Sequence, residues 1–309
     1  MLDYEQAGVS IKKADILTEI LRKDLKNENI GMFAGLYENP AFPEYYLVGC
    51  ADGVGTKIIP LLAKNKIETI AIDLIAMNLN DMICVGAKPL FFLDYFATHK
   101  LDIEVTAKFI KALKQELSKY NCALLGGETA EMGDLVAEGH FDVGGFAVGL
   151  VKKNAILCKS NVKENDVIIG LKSSGAHSNG FTLIRKLHEK GLLSEDELNQ
   201  ALEPTYIYAN EILDLCDKGL VKACANITGG GLEGNLNRII PDGLTADINR
   251  EKIPSQPLFE KLLSLTGEEE AYKTFNMGVG MCIITSENNA DKVIEVCNKR
   301  DPFTLGKIK

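Results

Sequence analysis

ETIAIDLIAMNLNDMICVGAKPLFFLDYFAT, residues 68–98, reads as an apolar helix followed at once by an apolar strand. The helix is built of Ile, Leu, Ala, Met and Val, and Gly86 and Pro89 end it. LFFLDYFAT has the aromatic and aliphatic run of a buried strand. Within the helix, Asp73 and Asn80 are seven residues apart, so at about 100° per residue they lie within about 20° of each other. Asp81 sits about 80° from Asp73 on the same side, and no Lys, Arg or Glu stands between them. A polar stripe on so apolar a helix is either a solvated face or a set of buried groups that need partners.

Upstream, YYLVGC reads as a strand and runs into ADGVGTKIIP, residues 51–60. This is not the phosphate-binding G-x-x-x-x-G-K-[ST], because the Asp precedes the glycines and the spacing differs. It still combines a carboxylate (Asp52), bare backbone (Gly53, Gly55) and an ammonium (Lys57), the parts of a phosphate cradle; the competing reading is an ordinary Asp-Gly turn. SIKKADILTEILRKDL reads as a helix with Ser10 as its cap and Ile11, Ala14, Leu17 and Leu21 as its apolar side.

Downstream come an amphipathic helix (LDIEVTAKFIKALKQELSKY), a strand running into a glycine loop (CALLGGETAEMGD) and a further strand (FDVGGFAVGLVKK). The polar, turn-rich segment 153–167 marks a boundary near residue 155, giving domains 1–155 and 156–309. The second half reads as strand, two helices, a loop into a helix, strand, helix and terminal strand, with the cap of its first helix expected at Ser178. Strands and helices in this order, without strict βαβ regularity, indicate the α+β class in both domains.

The 309 residues are 46% hydrophobic and 25% charged, as in an ordinary globular enzyme. A net charge of −9 argues against nucleic acid as a partner. It also obliges any phosphate site to offset repulsion locally, with cations or helix N-termini. No apolar run is long enough for a membrane span and no signal peptide is legible, so a cytoplasmic location is expected. The eight cysteines form no C-x-x-C pair and read as small buried hydrophobes, and the four histidines show no zinc spacing. Asp52, Asp73 and Asp81, with Glu128 and Glu131 at the glycine loop, offer hard oxygen ligands and so point to Mg²⁺. ITGGGLEGNL puts Gly229, Gly230 and Gly231 where a helix begins, either a phosphate seat or a flexible turn. In SSGAHSNGFTL, His177 and Asn179 are expected to be exposed, with His177 free to act on an oxyanion or as an acid or base. The glycines of NMGVG, 276–280, read either as room for a ligand to approach or as a structural bulge.

Taken together, YEQAGVSI, ADGVGTKI, AIDLIAMNLNDMICVGAKPLFFLDYFATHKLD, LLGGETAEM, DVGGFAVGLV, SSGAHSNGFTLIRK, EPTYIYAN, NITGGGLEGNLNRIIP and YKTFNMGVGM resemble the phosphoribosylformylglycinamidine cyclo-ligase family of purine biosynthesis, in order from residue 4 to residue 281. The resemblance implies a mixed N-terminal sheet that pairs across a homodimer, an α/β-type sandwich as C-terminal domain, and ATP bound near the subunit cleft. It implies conversion of formylglycinamidine ribonucleotide and ATP into aminoimidazole ribonucleotide, ADP and phosphate. By the same resemblance Lys57, His177 and Asn179 would be catalytic. Asp52, Gly53, Gly55, Thr56, Lys57, Asp73, Asn80, Asp81, Gly127, Glu128, Thr228 and Gly229 to Gly231 would bind the nucleotide. Asp52, Asp73, Asp81 and Glu128 would hold Mg²⁺. Two departures stand out: the glycine-rich segment near the N-terminus is short (NIGMFAGLYENP, with Gly31 and Gly35), and GGETAEM continues with Gly-Asp. A thiamine monophosphate kinase of the same superfamily and a non-catalytic nucleotide-binding scaffold are the competing readings.

Overall fold

The computed structural model describes residues 11–25 and 32–309. Helix α1 (Ile11–Leu25) follows the heptad-like spacing of its apolar residues, and Ile16, Leu17, Ile20 and Leu21 on it are 39–55% exposed. The expected cap Ser10, most of YEQAGVSI, and Gly31 lie outside the described residues.

The first sheet contains β1 (Gly35–Glu38), β2 (Tyr45–Gly53), β3 (Lys88–Thr98), β4 (Ala123–Glu131) and β5 (Phe141–Lys152), in the order β1-β2-β5-β3-β4. Every pair is antiparallel except β3–β4. That pair is parallel because a whole helix joins its strands, the crossover a parallel pair needs. This is α4 (Ile103–Ser118), capped by the Asp102 carboxylate, which accepts from the N–H groups of Glu104 (2.9 Å) and Val105 (3.1 Å). Between β2 and β3 run the short α2 (Ile58–Ala63) and the long α3 (Ile67–Ile83).

Helix α3 lies across one face of this sheet and beside α4. Its other side meets the second half of the chain, so it is covered all round, and Leu74, Ile75, Leu79 and Met82 are wholly buried. A helix this largely apolar belongs in such a place. Among the described residues the opposite, outer face of the sheet keeps Leu93, Tyr95, Leu125 and Phe146 exposed.

The second sheet contains β6 (Val167–Lys172), β7 (Ala223–Asn226), β8 (Ala246–Ile248), β9 (Val279–Thr285) and β10 (Phe303–Ile308), ordered β7-β9-β6-β10-β8 and antiparallel throughout. The expected α/β-type sandwich is therefore, in pairing, a second α+β unit. Its helices are α5 (Phe181–Glu189), α6 (Glu195–Ala201), α7 (Ala209–Asp217), α8 (Gly231–Leu236), α9 (Pro257–Thr266), α10 (Glu268–Thr274) and α11 (Ala290–Val296). Central strand β9 is buried at every residue, as its unbroken apolar sequence requires.

Two local expectations differ from the structure. LLGGETAE is strand and not a loop: β4 stays paired with β3 through Glu131, with Gly126 at φ +156° next to the register shift. Helix α5 is preceded by Gly180, not capped by Ser178. Gly180 has φ +77°, and a Cβ there would stand 2.5 Å from the Phe275 ring. Among the described residues no helix is long and apolar enough to cross a membrane.

Candidate functional site

The polar stripe of α3 finds its partners in a loop more than a hundred residues away. Asp73 Oδ1 accepts from the N–H of Thr205 (2.8 Å), and Asn80 Oδ1 accepts from the N–H of Tyr208 (3.0 Å). Asn80 Nδ2 donates to the carbonyl of Tyr206 (2.8 Å). Lys57, carried inward by the short helical turn Gly55–Lys57, pairs with Asp73 (2.8 Å) and donates to the carbonyl of Glu203 (2.9 Å). Both ends of that ion pair are wholly buried. Burial pushes Asp73 up and Lys57 down, and their mutual attraction opposes both shifts.

Asp73, Asn80 and Lys57 thus read the backbone of Glu203–Tyr208. They dock the second half of the chain onto the first. This corrects two expectations: Asp73 has no oxygen turned toward solvent for a cation, and the Lys57 ammonium is spent inside the protein. Thr56 stays exposed, its hydroxyl 3.0 Å from that of Thr182.

Asp81, a little over two turns beyond Asp73 on the stripe's flank, is half-buried and turns to the end of β7. Its Oδ1 accepts from Asn226 Nδ2 (2.8 Å) at the end of β7. Burial lifts its carboxyl to about 7, the Asn226 bond opposes this, the charge of Asp52 adds to it, and Arg238 opposes it. Asp52 is exposed at the penultimate position of β2. The protein packed behind it raises its carboxyl, while the N–H of Gly53 (2.8 Å) stabilises the charged form. Gly55, at φ +70°, has open space where a side chain would be.

From Asn226 at the end of β7 the chain runs into the glycine loop ahead of α8. Asn235 Nδ2 lies 2.8–3.3 Å from the carbonyls of Thr228, Gly229 and Gly231, turning them inward. Asn179 Oδ1 accepts from the N–H of Gly229 (3.1 Å). Gly230 (φ +91°) and Gly231 (φ +66°) adopt the left-handed backbone, and a Cβ on Gly231 would overlap the carbonyl of Tyr272. Arg238 donates to Asn235 Oδ1 (3.3 Å) and stacks 3.8 Å over the Phe33 ring.

Asp94 belongs beside Asp52. Both pair across the first sheet with Gly145, so both point to the α3 side. Asp94 is 6% exposed, and burial lifts its carboxyl to about 6. Gly127 makes room for it: a Cβ there would lie 2.3 Å from Asp94 Oδ1. Glu128, the next residue, must then point the other way. It pairs with Tyr95 and is exposed on the outer face of the sheet, apart from Asp52, Asp81 and Asp94.

His177 is 2% exposed, against the expectation of a solvent-facing imidazole. At φ +55° its backbone turns the ring inward over Gly280, where a Cβ would come within 2.5 Å of it. Nε2 accepts from the N–H of Ser174 (3.3 Å), and burial lowers the imidazole to about 3.

Among the described residues no three His, Cys, Asp or Glu side chains form a ready metal cage. Two carboxylates near enough for the charge of one to raise the other, Asp52 and Asp81, nevertheless suit Mg²⁺, which binds through one or two carboxylates and takes its other ligands from phosphate and water. The sequence reading missed Asp94, Asn226, Asn235 and Arg238. Only Asp94 had a signal, as a lone acid inside LFFLDYFAT.

Models of the AIR synthase related protein N-terminal and C-terminal domains match residues 35–151 and 163–309. A phosphoribosylformylglycinamidine cyclo-ligase of Arabidopsis thaliana is 44% identical, over 97% of this chain and 79% of its own length. One of Clostridium botulinum is 40% identical, over 96% and 92%. Among solved structures, AaThiL complexed with AMPPCP and TMP shares the fold at TM-score 0.71 and 18% identity, over 97% of this chain and 93% of that one. E. coli HypE, a hydrogenase maturation protein, does so at TM-score 0.67 and 18% identity, over 96% and 91%.

Proposed function

The chain belongs to the AIR synthase related family, and from that premise we propose that it is the ATP-dependent ligase that closes formylglycinamidine ribonucleotide into aminoimidazole ribonucleotide. The observation that carries this is identity of 40–44% along nearly the whole chain to cyclo-ligases. Kinase-like neighbours at 18% identity share only the fold.

The formyl oxygen of the substrate is a poor leaving group. Transfer of the terminal phosphoryl group of ATP to that oxygen makes it a good one. The amidine nitrogen then attacks the formyl carbon, and phosphate leaves with the former formyl oxygen. Such a reaction rests on positioning and charge neutralisation, without a covalent nucleophile. Asp52 and Asp81 are the residues that would hold Mg²⁺, which when bound neutralises phosphate charge. Gly55 leaves backbone open to the phosphates, and the loop at Gly230 would seat a second anionic group, the N–H groups of Gly229 and Gly231 being held by Asn179 Oδ1 and the Thr228 carbonyl. Asn179 fixes that loop. Lys57, Asp73 and Asn80 position the two halves of the cleft, and His177, neutral at working pH, shapes the turn that carries Asn179.

The reading includes a homodimer formed through the outer face of the first sheet, where Leu93, Tyr95, Leu125 and Phe146 are 36–63% exposed. It includes a cytoplasmic location, which suits eight cysteines that all stand as free thiols.

Incubation with ATP and formylglycinamidine ribonucleotide should yield aminoimidazole ribonucleotide and one ADP per turnover. ATP consumed only with thiamine monophosphate would replace this reading with a kinase.

A further inference from the structure

We propose that Asn226 is a positioning residue of the Mg²⁺ site, holding Asp81 in place for the cation without taking its charge; this rests on the functional reading above. Helix α3 carries Asp73 and Asp81, and the two are held differently. Asp73 meets the Lys57 ammonium at 2.8 Å, so its charge is neutralised within the protein. Asp81 meets an amide instead: its Oδ1 accepts from Asn226 Nδ2 at 2.8 Å. A neutral donor fixes a carboxylate and leaves it anionic, as a divalent cation needs. The sense of this bond follows from its acceptor. An ionised carboxylate can only accept, so the amide must turn its N–H group toward it.

Asn226 is itself firmly placed. It is 2% exposed and ends β7, paired there with Met281 of β9. The N–H of the next residue, Ile227, donates to the carbonyl of Gly280 at 3.0 Å and extends the same ladder. A donor mounted on a buried strand holds its acceptor within narrow limits. With Oδ1 engaged, the second oxygen of Asp81 is the one left for a cation. Asp52 lies near enough for its charge to act on Asp81, so a second carboxylate is at hand.

Asn226 stands 145 positions from Asp81, in the other half of the chain. The cation site is therefore complete only while the two halves are docked. The bonds from Asp73 to Thr205 and from Asn80 to Tyr208 keep them so.

Mn²⁺ is the probe that tests this. Its binding to the whole chain with a non-hydrolysable ATP analogue is followed by electron paramagnetic resonance, beside the Mg²⁺ dependence of turnover. Asn226→Leu, similar in size but without a donor, should weaken Mn²⁺ binding by about 10- to 100-fold, the usual effect of losing a ligand's hydrogen-bond partner. The Mg²⁺ concentration for half-maximal turnover should rise by the same factor, and turnover should recover at saturating Mg²⁺. Asn226→Ser, too short to reach Asp81, should behave alike, and it serves where the leucine is not accommodated. In an Asp81→Asn background neither substitution should weaken Mn²⁺ binding further, because the carboxylate they act through is gone. Unchanged Mn²⁺ affinity in a folded Asn226 variant would overturn the proposal. So would an equal loss with and without Asp81, or a wild type that holds no Mn²⁺. A wild type that shows the expected Mn²⁺ pattern but makes no aminoimidazole ribonucleotide would uphold the proposal and count against the functional reading alone.

Discussion

The ammonium of Lys57 lies 2.8 Å from the carboxylate of Asp73, and neither side chain reaches solvent. The pair joins the DGVGTK turn to α3, and through Thr205 and Glu203 it reaches the EPTYIY loop. Three motifs distant in sequence are thereby locked together, and the cleft inherits its shape from the lock.

Removing one partner leaves the other buried and uncompensated. Lys57→Met or Asp73→Leu alone should lower unfolding free energy in urea by about 3 to 5 kcal/mol, and the double replacement by clearly less than the sum. Strictly additive losses would show that the two groups do not support each other.

Asp81 gives the ligand-free protein a pH signature. Burial lifts its folded-state value from 3.8 to about 7. With the folded value above the unfolded one, its contribution is fully present below pH 3.8 and is lost as pH rises toward 7. Asp81→Asn should flatten the fall in stability across that window. An unchanged slope would assign the titration to other groups, Asp52 and Asp94 being the next candidates.

His177 carries the opposite sign. Its folded value is lowered from 6.5 to about 3, so only the unfolded chain takes up a proton between those values, and stability falls as pH drops through them. His177→Asn should remove that fall and leave the shape of the turnover profile between pH 5 and 8 unaltered. A limb of the profile that vanishes in the variant would put the imidazole in the chemistry.

Gly127→Ala should push Asp94 out of place. The added carbon would meet Asp94 Oδ1 at 2.3 Å and the Asp94 carbonyl at 2.5 Å. Turnover should drop by at least about tenfold, a barrier change of ~1.4 kcal/mol, with ~1 to 3 kcal/mol lost from stability. Gly234→Ala, with nothing within 4 Å of its added carbon, should change neither. Full activity in Gly127→Ala would remove Asp94 from the site.

The sequence alone determined the α+β class and which side chains share a face of α3. These follow from local period and residue chemistry: 3.6 for a helix, 2 for a strand, glycine where backbone must be open. Such periods say which side chains share a face, but not what that face meets. Only the tertiary structure showed that the stripe on α3 docks against backbone 132 positions away, that His177 turns inward, and that Asp94 joins Asp52 while Glu128 leaves by the other face. Those outcomes depend on contacts between segments far apart in the chain and on the side from which each sheet is covered, and no short window of sequence contains either.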